Sequence, residues 1–309
     1  MLFYRDFRGF QGGHLKVWHY FNHTRHSAKF EPKIHFSAES IWNNTNPWHN
    51  DQTGVVRRWD SAAAEALFLA GLDWQQLSPE ECTRPRRPII NLIQGFRHIR
   101  PDDPCYKFLE HRAVRICVSP ELTHAVETTG RANGPIFTIP NGIDLLNGPS
   151  QGSTATSKTD VLIAALKNPR LGRSLFNQLA SSRYRIELFT APLPRSEYLQ
   201  HVANSEISLF LPAKEEGFYL PALEAMGLGS LVICPDCIGN RSFCIDGENS
   251  LMPDYTETAL LATVISTLSL DIEQRTKLIN AEHSTAQRYC LSEERNRFLD
   301  ILNNIDQIW

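Results

Sequence analysis

Two glutamates, Glu216 and Glu224, are separated by seven residues where an apolar run gives way to a helical pattern. The run 207–211 predicts a strand, and a helix is expected to begin near Leu220. A helix that begins just after a strand directs backbone N–H groups outward, which suits a diphosphate. Glu224, about two turns deeper, could accept hydrogen bonds from both hydroxyls of a ribose. Glu216 could bind a sugar and stabilise its developing positive charge. The alternative is that both glutamates only cap and solvate the helix.

The segments before this motif alternate between strands and helices. Strands are predicted at 161–165, 184–189 and 207–211, with helices at 171–180 and 196–203 between them. This alternation is typical of a parallel sheet with helices on both faces. In such sheets ligands bind beyond the carboxyl ends of the strands.

The chain divides into two domains at a stretch with almost no apolar residues. Its 309 residues exceed the size at which one core usually stops growing. The stretch 147–160 consists mainly of Gly, Ser, Thr, Gln and Pro, which is typical of a linker. We therefore predict two domains, 1–149 and 150–309.

The first domain shows the same alternation. Strands are predicted at 33–36, 66–69 and 88–93, and Gly12 and Gly13 break the chain before a helix over 14–26. Polar residues also follow two of these strands, where they could contact an acceptor or a phosphate or could only cap their loops. They are Asp73, Arg97 and His98.

The composition excludes several classes of protein. The net charge of −3 argues against binding to nucleic acid. No uncharged run approaches the ~18 residues of a membrane-spanning helix, and the N-terminal residues have too short an apolar core for a signal peptide. The seven cysteines lie in or beside apolar runs and indicate reduced thiols. We therefore expect a cytoplasmic protein, for which peripheral contact with a membrane stays open.

Three histidines, His19, His23 and His26, fall at a spacing that could bring them to one helix face. No cysteine or carboxylate lies nearby to complete a metal site. We therefore expect these side chains to pack or to be solvated, and we predict no metal.

The segment around the two glutamates resembles a known motif. Residues 216–226 are similar to the E-x7-E motif of the retaining GT-B glycosyltransferases, family 4 in particular. The segment 229–233 resembles the strand that follows this motif, and 246–251 resembles the family's D-G-x-N-G-x turn. Pro-Asn-Gly-Ile-Asp at 140–144 is similar to the family's P-N-G-V-D element. The resemblance covers the second half of the chain well and the first half more loosely.

The resemblance implies a fold and an activity. The fold is GT-B: two Rossmann-like, doubly wound α/β/α domains that face each other across a cleft. The second domain binds the donor and the first the acceptor, and the last helix can return to the first domain. The activity is metal-independent, retaining transfer of a hexosyl group from a nucleotide-diphosphate sugar, without a further cofactor. The acceptor is a glycan, a lipid-linked molecule or another hydroxyl compound, as in surface polysaccharide or glycan biosynthesis.

The resemblance also implies roles for individual residues. Glu216 and Lys167 are the predicted catalytic residues. The predicted donor-binding residues are Gly12, Gly13, Lys16, Arg173, Gly217, Phe218, Tyr219, Leu220 and Glu224.

The cations expected at the diphosphate depart from the family pattern. The family supplies an arginine and a lysine after the first strand of its second domain, but its Gly-Arg pair is here Ala165-Leu166. Lys167 is in a suitable place, although it could also be a solvated loop lysine. Arg170, Arg173 or a cation of the first domain would replace the missing arginine.

The sequence leaves one other function open and argues against another. A catalytically inactive scaffold or regulatory subunit that binds a nucleotide sugar would account for the missing Gly-Arg pair and for Tyr219, where small residues are usual. The sequence argues against a Rossmann oxidoreductase, because no G-x-G-x-x-G follows the first strand of either domain.

Overall fold

The computed structural model describes residues 1–144 and 159–309, which form two compact units. Unit 1 comprises Met1–Asn141 and Leu291–Trp309, and unit 2 comprises Gly142–Cys290. The predicted boundary between 149 and 150 lies outside the described residues. So does the predicted linker, apart from its last two residues.

Strands and helices are numbered in chain order through the described residues. The strands are β1 (Leu2–Arg5), β2 (Lys33–Phe36), β3 (Val55–Val56), β4 (Leu67–Ala70), β5 (Ile89–Ile93), β6 (Val114–Cys117), β7 (Ile136–Thr138), β8 (Thr159–Ala164), β9 (Ile186–Phe189), β10 (Ser205–Phe210) and β11 (Leu231–Ile233). The helices are α1 (Gly12–Thr24), α2 (Pro79–Thr83), α3 (Pro104–Lys107), α4 (Pro120–Thr128), α5 (Pro169–Leu179), α6 (Arg195–Ala203), α7 (Leu220–Leu228), α8 (Glu257–Leu268), α9 (Ile272–Arg288), α10 (Leu291–Asn303) and α11 (Ile305–Ile308).

Unit 1 contains a parallel sheet of seven strands in the order β3-β2-β1-β4-β5-β6-β7. Every residue of β1, β4, β5 and β6 is buried. Burial on both faces is expected of a parallel sheet that helices cover on each side.

Unit 2 contains a parallel sheet of four strands in the order β11-β10-β8-β9. After β9 the chain crosses β8 and forms β10 on its other side, so the strand order reverses between β8 and β10. These two sheets confirm the predicted α/β class with two doubly wound units.

The C-terminal residues pack within unit 1, where α10 lies against α1. Lys16 Nζ donates to Glu294 Oε2, and His23 Nε2 lies 3.0 Å from Glu294 Oε1. The Glu294 side chain is fully buried. Burial alone would raise the pKa of Glu294, but Lys16 and His23 hold it below its usual value. Lys16 therefore stabilises the packing of α10 on α1.

Glu282 in α9 is expected to make the stability of the protein depend on pH. Its Oε1 accepts from the Val232 N–H at 2.7 Å, and its Oε2 has no hydrogen-bond partner among the described residues. Burial raises the pKa of Glu282 to about 8, whereas in an unfolded chain the value is about 4.3. Between these values the folded state binds more protons than the unfolded state. The free energy of unfolding should therefore fall as the pH rises from about 4.3 to about 8, by at most ~1.4 kcal/mol per pH unit.

Glu282→Gln should remove this contribution, because an amide does not titrate and still accepts from Val232. Denaturant unfolding at several pH values in this window measures the difference between wild type and variant. Glu273→Gln, an exposed change on the same helix, is the control. Parallel pH profiles for wild type and Glu282→Gln would contradict the prediction.

Candidate active site

The loops that follow β8 and β10 lie at one edge of the unit 2 sheet. The two strands are parallel neighbours, with Ala164 in register with Phe210, and Leu211 N donates to the Ala164 carbonyl at 3.1 Å. The β8 loop carries Lys167 and the β10 loop carries Glu216. The carboxyl edge where a strand order reverses is the usual ligand site of an open α/β sheet.

Tyr255 links these two loops. Its hydroxyl donates to the Pro212 carbonyl at 2.8 Å in the β10 loop and also bonds the Asn168 side chain in the β8 loop. Asn168 in turn caps α5 by accepting from Leu171 N at 3.3 Å. Tyr255 was not predicted, because it is distant in sequence from both loops.

Glu216 is half-buried in the loop between β10 and α7. A short 3-10 turn, Ile238–Asn240, lies against it: a Cβ on Gly239 would come within 2.8 Å of the Glu216 carbonyl oxygen. Tyr219 N donates to the Gly239 carbonyl at 2.9 Å. Because Gly239 has no side chain, this turn can pack closely against the loop that carries Glu216.

Helix α7 begins with backbone donors that no side chain caps. Its N-cap residue is Tyr219, which makes no side-chain cap hydrogen bond, and Pro221 lies in its first turn. Leu220 N donates to the Phe218 carbonyl at 3.1 Å, and Pro221 has no N–H, so a ligand at this end of the helix would use the N–H groups of the following residues of the first turn. Leu220, the first residue of α7, is half-buried.

The residues just before α7 are buried. Gly217, Phe218 and Tyr219 lie in the interior of unit 2. The ring centroids of Phe218 and Phe243 lie 5.1 Å apart, and those of Tyr219 and Phe210 lie 5.9 Å apart. These side chains form part of the core, so any contact of Phe218 and Tyr219 with a donor would come through the backbone.

Glu224 is the fifth residue of α7, so it lies just over one turn into the helix. It is 6% exposed. Arg195 Nη2, at the start of α6, lies 2.6 Å from Glu224 Oε1. Arg195 was not predicted, because nothing in the local sequence marks it.

Three cations lie near the end of β8. Lys167, Arg170 and Arg173 are all exposed, and none of them forms an ion pair within the described part of the chain. Lys167 lies in the loop, and the two arginines lie on α5. The structure therefore leaves all three available to an anion.

A glycine in α5 lies against the end of β8. A Cβ on Gly172 would come within 2.2 Å of the Ala165 Cβ, so these two positions cannot both carry side chains at this spacing. Leu166, in the place of the family's arginine, is 40% exposed. Gly172 therefore permits the close approach of α5 to the end of β8.

The glycine pair of unit 1 lies inside α1. Gly12 and Gly13 form the first turn of the helix, whereas the sequence predicted a break before it. A Cβ on Gly13 would lie 3.4 Å from the Gln94 side chain, and Gln94 Nε2 donates to the Gly13 carbonyl at 3.4 Å. Gln94 follows β5, so the structure brings this loop to the start of α1.

Two predicted residues of unit 1 are instead part of buried ion pairs. Lys16 pairs with Glu294 as described above. Asp73 pairs with Arg5 and accepts from Ala70 N at 2.8 Å. We therefore remove Lys16 and Asp73 from the candidate site, since a ligand would have to break these buried pairs.

Arg97 and His98 differ in exposure. Arg97 is exposed and donates through Nε to Asp103 Oδ2 at 2.9 Å. His98 is buried, and its Nδ1 donates to the Gly95 carbonyl at 3.2 Å. Burial lowers the pKa of His98 to about 4, so its ring is neutral at pH 7. Arg97 is therefore the better placed of the two to meet a phosphate.

Unit 2 contains a cavity away from the candidate site. The cavity measures about 480 Å³ and lies beside α8, α9 and the turn at Asp246, and none of the predicted site residues lines it. Among the described residues, no group of three His, Cys, Asp or Glu side chains is placed to hold a metal ion. No helix in those residues has the length and apolar character needed to cross a membrane.

Neither a protein-family model nor a curated protein matches the sequence. Solved structures do match its fold. HepE from Anabaena, in complex with UDP-glucose, has a TM-score of 0.74 and 13% identity over 98% of this chain and 99% of that chain. A glycosyltransferase from Rickettsia africae has a TM-score of 0.73 and 12% identity over 98% and 97%. Sucrose-phosphate synthase from Thermosynechococcus elongatus has a TM-score of 0.71 and 10% identity over 99% and 98%. The chain therefore has the GT-B fold of these glycosyltransferases.

Proposed function

We propose that the protein is a retaining glycosyltransferase that moves a hexosyl group from a UDP-sugar to a hydroxyl acceptor. One observation carries this proposal. Glu216, Glu224 and the uncapped start of α7 lie at the carboxyl edge of the unit 2 sheet, where the strand order reverses, with Lys167 on the adjacent loop. UDP is the nucleotide of first choice because HepE, which shares the fold, was solved with UDP-glucose.

Each group has a distinct role in the proposed reaction. The diphosphate would lie at the N-terminal turn of α7, with Lys167 offsetting the charge that accumulates as the bond to the sugar breaks. Glu224 would accept hydrogen bonds from the ribose. Glu216 would stabilise the positive charge that develops at the anomeric carbon. The acceptor oxygen then bonds to that carbon, and its proton passes to the departing phosphate oxygen, so no protein base is required.

Unit 1 would bind the acceptor, with Arg97 exposed at the end of its β5 loop. The resemblance of the sequence motif to family 4 supports a glycan or lipid-linked acceptor in surface polysaccharide synthesis, in the cytoplasm or at a membrane surface. We propose that no metal is needed, because Lys167 and the start of α7 offer positive charge to the diphosphate. Unchanged activity in the presence of a chelator would support this point.

An inactive nucleotide-sugar-binding subunit is the second candidate. It is favoured by one observation: Leu166 stands where the family has its arginine. Such a protein would bind a UDP-sugar but would not cleave the bond between the sugar and UDP.

A thermal-shift panel of UDP-, GDP- and dTDP-sugars tests the binding part of the proposal. A ligand present at about 100 times its Kd should add about 2.7 kcal/mol of stability. We expect a UDP-sugar to raise the melting temperature most. No shift with any of these sugars would contradict the proposal.

Lys167→Ala should weaken the binding of UDP more than that of uridine, because the lysine would contact the diphosphate and not the nucleoside. We also expect slower turnover. Calorimetric titration of both ligands measures the difference, and Arg170→Ala and Arg173→Ala show whether a second cation contributes. A Lys167→Ala variant with unchanged UDP affinity and turnover would identify this side chain as a solvated lysine.

A further inference from the structure

Helix α6 packs on α7 and presents two residues to Glu224. Arg195 is the first residue of α6, and Tyr198 follows three positions later on the same face. Burial raises the pKa of Tyr198, and the nearby charge of Glu224 raises it further. The first turn of α6 therefore lies beside the Glu224 carboxylate.

The contact between Arg195 and Glu224 is close but leaves an acceptor unused. Arg195 Nη2 lies 2.6 Å from Glu224 Oε1, yet this buried oxygen receives no hydrogen bond of normal geometry from the described residues. Arg195 offsets the negative charge of the carboxylate, but Glu224 Oε1 can still accept hydrogen bonds. A buried acceptor without a donor is unfavourable, so it is more stable with a ligand donor beside it.

The position of the pair matters for a nucleotide. Glu224 lies just over one turn from the start of α7, where the diphosphate would bind. Without Arg195, the negative charge of Glu224 would be uncompensated and would repel the diphosphate, because little water screens charges in a partly buried site. The Arg195 side chain is 27% exposed, so its guanidinium reaches inward from the surface to the carboxylate.

We infer that Arg195 is a positioning residue for nucleotide recognition: it holds Glu224 so that an unfilled oxygen meets a ribose hydroxyl, and it offsets the charge of Glu224. This inference rests on the proposed function. Arg195 acts through Glu224 and need not contact the nucleotide itself.

The test compares UDP with 2′-deoxy-UDP by calorimetric titration of the full chain. We expect wild type to prefer UDP by about tenfold or more, as for a hydrogen bond to a charged group. Arg195→Ala should bind UDP more weakly and should reduce the preference to less than about threefold. A double variant with Arg195→Ala and Glu224→Gln should prefer UDP about as weakly as Arg195→Ala alone, because both changes act on the same contact with the ribose.

Two further variants complete the design. Arg195→Gln keeps a polar side chain of moderate length without the charge, and it serves if Arg195→Ala does not fold. Arg183→Ala removes an exposed arginine of the same unit and should leave the preference unchanged. A purely structural role for Arg195 would lower the melting temperature without changing the ratio of the two affinities.

The outcomes separate the inference from the function on which it rests. If wild type binds no UDP, both fail. If wild type binds UDP but Arg195→Ala or Arg195→Gln keeps the full preference, the inference is overturned and the proposed function stands. Equal affinity of wild type for the two nucleotides would overturn the inference and the ribose role of Glu224, while the proposed transfer from a UDP-sugar would stand.

Discussion

Glu216→Gln is expected to lower turnover of the UDP-sugar by about 10² or more while leaving donor affinity nearly unchanged. The amide keeps the size of the side chain and much of its hydrogen bonding but removes the negative charge. That charge would matter most in the transition state, when positive charge develops at the anomeric carbon. The loss should therefore fall on turnover rather than on binding.

The opposite pattern is expected if Glu216 only supports the start of α7. A carboxylate near a helix N-terminus contributes about 0.3 to 1 kcal/mol, so its amide would slightly lower stability and leave turnover intact. Turnover, donor Kd and melting temperature should be measured on the same preparation. Glu215→Gln, at the adjacent exposed position, is the matched control and should behave as wild type.

Glu224→Gln should weaken UDP binding by about 1.5 to 3 kcal/mol, which is roughly 10- to 150-fold in Kd. A buried carboxylate that accepts from ribose hydroxyls makes charge-assisted hydrogen bonds that an amide cannot match. Glu224→Ala should weaken binding as well, but it also leaves the Arg195 charge without its partner and so lowers stability. Glu224→Gln is therefore the sharper variant.

Calorimetric titration with UDP measures this effect. Glu197→Gln, an exposed change on α6, is the control for loss of a negative charge near the site. Unchanged UDP affinity in a folded Glu224→Gln variant would remove Glu224 from the nucleotide site and would leave its pair with Arg195 as a structural contact.

The parts of the fold that depend on local signals could be predicted from the sequence. The apolar run that forms β10 and the Glu-Gly pair at 216–217 place Glu216 after a strand and before α7, as the structure shows. Alternation of apolar runs and helical patterns likewise predicted two α/β units. These features depend on residues that are close together in the chain.

Long-range ion pairs could not be predicted. Lys16 pairs with Glu294, 278 positions away, and Asp73 pairs with Arg5, 68 positions away. In each case a polar residue on a loop or helix looks available to a ligand until its partner is known. Arg195 shows the reverse, since only its contact with Glu224 across two helices gives it a candidate role.

Two other differences have local physical reasons. Gly12 and Gly13 were predicted to break the chain, but both adopt the first turn of α1, where glycine is tolerated. Helix α7 begins at Leu220, as predicted, but the residues between Glu216 and Leu220 are not helical, so Glu224 lies one helical turn and not two beyond the loop that carries Glu216.

The most direct test of the account is to follow, by NMR, the sugar and the UDP released when wild type and Glu216→Gln are incubated with a UDP-sugar that both bind. With water as the acceptor, we expect slow release by wild type, with the first sugar released in the anomeric configuration of the donor. We expect about 10²-fold slower release by Glu216→Gln. Equal release by the two proteins, or no release by wild type that binds the donor, would contradict the proposed catalytic role of the unit 2 site.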